Sequence, residues 1–155
     1  MDKILYLDID GVLNCYKDFQ YLLEDNFKNP KGYLIYDTGH FVCLRKLEML
    51  KNFINEEGLK VVIISSWAVR LKGGKKVCEF LGLPYFGEAL SVSGGFQRWF
   101  GIKNHVEENK IEKYVVVDDA GHHSYDNIAT VVDVKGSTGL RIKDIKQAVG
   151  ILKSN

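Results

Sequence analysis

The chain predicts an α/β fold, a doubly wound and mostly parallel sheet covered by helices on both faces, in a single domain over residues 1–155. Two observations carry that expectation. Short β-prone apolar runs alternate along the whole chain with segments of helical period, as crossover connections between parallel strands require. Three of the runs also end in short polar side chains, at the edge where an open parallel sheet keeps its ligands.

The first strand is Lys3–Leu7 (KILYL), stopped by Asp8-Ile9-Asp10-Gly11. Residues 15–40 are polar and aromatic, with turn signals at Asn29-Pro30 and Lys31-Gly32. They read as a small cap-like insertion, a short helix followed by a hairpin. From Phe41 to Glu57, Val42, Leu44, Leu47, Leu50, Phe53 and Ile54 recur at helical spacing, and Gly58 stands where a C-cap belongs. Lys60–Ile64 (KVVII) is the second strand, closed by Ser65-Ser66. A helix is expected over 73–82, stopped by Gly82 ahead of Pro84. A strand around Ala89–Val92 would then precede the loop Ser93-Gly94-Gly95. Trp99–Asn109 reads as helix, with Ile102 and Val106 four apart. Tyr114–Val117 is the third strand, ended by Asp118-Asp119, and Ala129–Val134 the fourth. Ile142–Leu152 closes the chain as an amphipathic helix.

Composition sets the bounds. A chain of 155 residues, 46% hydrophobic and 26% charged, can bury one ordinary core. No apolar run approaches the length needed to span a bilayer. Met1, Asp2 and Lys3 lead straight into the first strand with no secretory signal, so a cytoplasmic location is expected. Cys15, Cys43 and Cys78 lack metal-type spacing and read as reduced thiols. A net charge of +1 neither demands nor excludes a polyanionic partner. Locally, Arg70, Lys72, Lys75 and Lys76 crowd the stretch RLKGGKK. That patch either receives phosphates or is a solvated turn opening a helix.

Singly, Asp and Ser at a strand end are common turn starters and helix caps. Three such endings on one sheet edge point instead to a site. The segments are LYLDIDGVLN around Asp8, VVII before Ser65, and YVVV before Asp118-Asp119. In this order they resemble the motifs of the haloacid dehalogenase (HAD) superfamily. More narrowly, VVIISSWAVR, EKYVVVDD and STGLRIKDIKQAVGIL resemble the HAD domain of multifunctional (Swiss Army Knife) RNA-repair proteins. The resemblance implies a Rossmann-like HAD fold and a Mg²⁺-dependent phosphomonoester hydrolase working through an aspartyl-phosphate.

It also implies roles. Asp8 would be the nucleophile and a metal ligand, and Asp10 the general acid/base and a ligand through its carbonyl. Gly11 would shape the turn beside the substrate. Ser65 would hold a phosphoryl oxygen, with Ser66 as the alternative. Arg98 fills the third-motif position, with Lys103 as its competitor. Asp119 would bind the metal, while Asp118 orients Arg98 or a metal-bound water. Trp67 would stack on a base or pack against the insertion, and Arg70 would meet a phosphate. His122 and His123 read as exposed loop residues. An insertion this small leaves the site open, which suits a phosphate on the end of RNA or DNA. The alternatives are a phosphatase of nucleotides or other small phosphomonoesters, and a non-catalytic HAD-like binding module. The second is disfavoured by the presence of both Asp8 and Asp10. A phospho-receiver domain fails on motif order, because its acidic pair comes early. No motif specifies an oligomer.

Overall fold

Period-two alternation in the central strand decides which helices pack on which side. In the computed structural model, which describes residues 1–89, 96–121, 125 and 127–154, that strand is β1 (Lys3–Leu7). Leu5 and Leu7 point to one face, and Ile4 and Tyr6 to the other. The flanking strands β4 (Leu59–Ile63) and β5 (Lys113–Asp118) divide in the same way, and β6 (Val131–Asp133) completes the order β4-β1-β5-β6. Every pairing is parallel. Tyr85 adds a single parallel bridge to Val61 beyond β4.

The face of Leu5 and Leu7 is covered by α2 (Leu44–Glu57), α4 (Gly74–Leu81) and α6 (Ile142–Lys153), through Leu47, Phe53, Val77, Leu81, Ala148 and Leu152. The face of Ile4 and Tyr6 is covered by α5 (Phe96–Glu108), through Trp99 and Ile102. This is the expected Rossmann-like arrangement, with helices on both sides. The insertion follows β1 as α1 (Tyr16–Glu24) and an antiparallel hairpin of β2 (Tyr33–Asp37) and β3 (His40–Cys43). A one-turn helix, α3 (Trp67–Arg70), follows β4.

Three expectations need correcting. The helix read from Phe41 begins at Leu44, because Phe41 and Val42 pair with Ile35 and Leu34 in the hairpin. Two apolar residues at the start of a helix fit either period, and the β2 partner decides between them. The extended backbone of Cys43 (φ −76°, ψ 122°) marks the change. Helix α3 was not foreseen, being too short to show a period. The fourth strand is shorter than expected, since Ile128–Thr130 forms a 3₁₀ turn ahead of it. The strand expected around Ala89–Val92 lies mostly outside the described residues, as do His122 and His123.

The three cysteines are free, and burial pushes the Cys78 thiol up to about 12. Among the described residues no helix is long and apolar enough to cross a membrane.

Beneath α5, the Tyr6 hydroxyl meets His105 Nδ1 at 2.7 Å. Burial holds the imidazole below its ordinary value, partly opposed by Glu108. A histidine depressed in the fold contributes stability that is present above the unfolded value of about 6.5 and is lost as pH falls through it. Melting curves at pH 7 and pH 5 test this. His105→Gln keeps an acceptor for Tyr6, and its melting temperature should fall less over that interval than the parent's.

Candidate active site

The parallel register assembles the site. Leu7 stands opposite both Ile63 and Val117, so the residues just beyond them share the carboxyl edge of the sheet. Asp8 N donates to Val117 O at 3.0 Å, and Ile64 N to Leu7 O at 2.9 Å. Asp8, Asp118 and Asp119 each offer a carboxylate oxygen, and these atoms lie within 4.8 Å of one another.

The three acids are not equivalent. Asp118 has no exposed surface, and its oxygens are already engaged. Oδ2 accepts from Arg98 Nη1 at 2.8 Å and from the Tyr125 hydroxyl, and Oδ1 accepts from the Ala120 amide at 3.1 Å. Burial pulls its carboxyl up, but Arg98 and Tyr125 outweigh that and hold it below the ordinary value. Asp8 is pushed well up, first by burial and then by the charge of Asp118, with Arg98 Nη1 3.8 Å away as partial relief. Burial also raises Asp119. Asp118 is therefore bound up within the protein, while Asp8 and Asp119 keep acceptor capacity. Two close carboxylates facing a cavity are a donor set for a hard divalent cation. The residues present fit one.

A cavity of about 520 Å³ opens over this cluster, walled by Asp8, Asp10, Gly11, Ser66, Arg98 and Asp119. Its outer wall is the insertion, through Cys15, Tyr16 and Phe19. Gly11 has φ +79°, and a Cβ there would lie 2.0 Å from Asp119 Oδ2. Only glycine fits both the turn and that approach. Gly136 closes in from beyond β6, where a Cβ would come within 2.9 Å of the same oxygen.

The other residues singled out from the sequence separate into groups. Asp10 lines the cavity, and its Oδ1 accepts from Asn14 Nδ2 at 3.0 Å and from Trp67 Nε1 at 3.1 Å. Ser65 is buried, and its Oγ accepts the Trp67 amide at 3.2 Å. It shares a side crevice of about 60 Å³ with Arg98 and Ser66. Lys103 is exposed on α5 and lines neither space, so the cation at the acids is Arg98.

Two residues read as possible substrate contacts are engaged by the insertion, which for Trp67 is the packing alternative. Trp67 is fully buried, its ring against His40 and Phe80, and offers no face to a base. Arg70 is engaged by Asp37, with Nε donating at 3.0 Å and Nη2 at 2.8 Å, and lies over the Tyr36 ring. The insertion uses both residues for its own attachment. Sequence reasoning passed over Asn14, Tyr125 and Gly136. Asn14 closes the first motif, where its residue type alone signals no role. Tyr125 lies seven residues beyond Asp118, at a spacing that carries no signal.

A family model described as "HAD domain in Swiss Army Knife RNA repair proteins" matches residues 4–145. Comparison with curated proteins and with solved structures found no match.

The cluster makes a prediction about cations. At saturation, around a hundred times its dissociation constant, a divalent cation should stabilise the protein by about 2.7 kcal/mol, seen as a rise in melting temperature. Gly11→Ala should abolish that rise by displacing Asp119. Gly58→Ala serves as the control, since Gly58 has φ +65° and open space around its Cβ. It should cost about 1 kcal/mol of backbone strain and keep the cation effect.

Proposed function

The chain belongs to the HAD-domain family of Swiss Army Knife RNA repair proteins, and from that premise we propose that it removes phosphate from the ends of RNA or DNA with the help of Mg²⁺. Its HAD-type phosphatase character rests on the family and on the aspartate cluster together. The observation that carries the assignment of roles is the unequal state of the three acids. Asp118 is consumed by Arg98 and Tyr125, while Asp8 and Asp119 face the cavity.

In this reading Asp8 and Asp119 hold the Mg²⁺, with the Asp10 carbonyl as a further ligand. When bound, the ion neutralises the facing carboxylates and phosphate oxygens and keeps Asp8 ionised. The Asp8 carboxylate attacks phosphorus, an O–P bond forms, and the bond to the leaving oxygen breaks. Asp10 gives that oxygen a proton. Two N–H donors converge on Asp10 Oδ1, so the proton it carries sits on Oδ2. Water then attacks the phosphorus of the aspartyl-phosphate, and the same Oδ2 takes its proton as phosphate leaves. Arg98 supplies positive charge beside the transferring group. Ser65 Oγ accepts from the Trp67 amide and so keeps its own proton to donate to a phosphoryl oxygen, while Ser66 adds a second hydroxyl from the cavity wall.

An open cavity supports a large substrate. The insertion contributes one short helix and one hairpin, which wall the cavity on one side without enclosing it. That geometry admits a phosphate carried on the end of a chain more readily than it retains a small metabolite.

The test is a hydrolysis screen with p-nitrophenyl phosphate, mononucleotides and end-phosphorylated RNA and DNA, with Mg²⁺ and with chelator. Turnover should need the ion, and Asp8→Asn should abolish it on every substrate. Full activity in that variant would overturn the mechanism. Arg98→Ala should lose roughly a hundredfold or more in kcat, the scale of removing one transition-state donor. Lys103→Ala should stay close to the parent enzyme.

A further inference from the structure

Beside the catalytic cavity, the insertion carries a second groove of about 280 Å³, lined by Tyr21, Lys31, Gly32, Tyr33, Cys43 and Arg45. Tyr21 is 50% exposed and stacks on Tyr33, with ring centroids 6.1 Å apart and planes at 29°. The Tyr33 hydroxyl donates to Asp18 at 2.6 Å, which fixes that ring as a base for its neighbour. Lys31 and Arg45 are both exposed, and among the described residues neither has an acidic group within 4.0 Å. By contrast Arg70, in the basic run first picked out from the sequence, is held by Asp37.

One side chain bonds a residue from the lining of each space. Asp18 takes the Tyr33 hydroxyl on Oδ1 and the Cys15 amide on Oδ2, the latter at 2.7 Å. Cys15 in turn lines the catalytic cavity, next to Tyr16, which is 68% exposed. A polynucleotide whose terminal phosphate reaches Asp8 and whose chain passes around α1 would come to the groove across this link.

An aromatic face with two unpaired cations at its rim suits an unpaired nucleotide, with the base on the ring and the backbone phosphates on the cations. We propose that this groove binds the nucleotides adjoining the phosphorylated end of a single-stranded polynucleotide, with Tyr21 as the stacking face and Lys31 and Arg45 as backbone contacts. The proposal rests on the polynucleotide-end reading and names the form of that substrate. A duplex end would keep its bases paired and away from the ring. A small phosphomonoester would occupy the cavity alone.

The experiment measures binding of short fluorescein-labelled RNA and DNA single strands, without a terminal phosphate, by anisotropy over a range of salt. It compares the full chain with Tyr21→Ala, with the pair Lys31→Gln and Arg45→Gln, and with Lys72, Lys75 and Lys76 all changed to Gln. Turnover of p-nitrophenyl phosphate should be unchanged in all of them, which shows that the variants are folded. Tyr21→Ala should weaken binding by about 5- to 100-fold, the loss of one base–aromatic stack. The Lys31/Arg45 pair should flatten the log–log salt slope by about 1.4, two single-strand contacts at about 0.7 each. The RNA and DNA arms identify the preferred strand. Parent and groove variants binding alike, no strand binding by the parent, or a loss confined to the Lys72/Lys75/Lys76 variant would each overturn the groove. If the strands bind through the groove and their phosphorylated forms are not hydrolysed, the end-phosphatase reading fails and the groove stands.

Discussion

Asp118 is a carboxylate with no access to water, and the architecture of the catalytic edge follows from keeping it ionised there. Its partners come from different parts of the chain: Arg98 from α5, Tyr125 from the segment after β5, and the Ala120 amide from its own turn. Deleting one partner of such a buried pair typically costs about 3–5 kcal/mol, because the remaining charge is stranded. The pair therefore fixes more than a side chain. It fastens the start of α5 to the sheet edge and brings Arg98 to within 3.8 Å of Asp8.

The same arrangement divides labour among neighbours of one residue type. With its oxygens engaged, Asp118 acts on the site as a fixed negative charge, and that charge adds to burial in raising Asp8. A carboxyl raised in this way can find relief in a proton or in a cation. Asp119, exposed at the sheet edge and free of the Arg98 bond, shares that choice with it. Glycine at 11 and at 136 keeps the space around Asp119 Oδ2 clear of any Cβ. The candidate cation cluster is thus built from one acid made unavailable, two that face the cavity, and two missing side chains.

Much of this was legible in the sequence, for reasons that can be named. β1 matched residue for residue, because a central strand buried on both faces is uninterrupted apolar sequence ended by an abrupt polar stop. The placing of Asp8, Ser65 and Asp118 on one edge followed from parallel topology alone. What escaped reading depended on tertiary partners. Phe41 and Val42 are strand only because β2 lies beside them. For Trp67 the sequence left stacking and packing against the insertion open, and the fold sets its ring against His40, while Asp37 engages Arg70. Tyr125 reaches Asp118 through a loop, where no periodicity announces a contact.

Those partners also tie the insertion to Asp10. Asn14 donates to Asp10 Oδ1 and to the Phe41 carbonyl in β3, while its own oxygen accepts the Gly11 amide. On the opposite side, Trp67 donates to the same Asp10 oxygen and packs edge-on against His40, which bonds Asp37 in β2. Asp37 is tied in turn to Arg70, one turn along from Trp67. Both donors that orient Asp10 are therefore braced by the hairpin. The acid/base role proposed for Asp10 requires one particular oxygen to face the leaving group, and a misplacement of about 1 Å can cost two orders of magnitude in rate. A hairpin too small to bury a substrate can still set that orientation, since Phe41 and His40 hold the groups that hold Asp10. The first motif and the insertion that follows it thus form one mechanical unit, and the short segment between them, with Asn14 at its centre, is where they are joined.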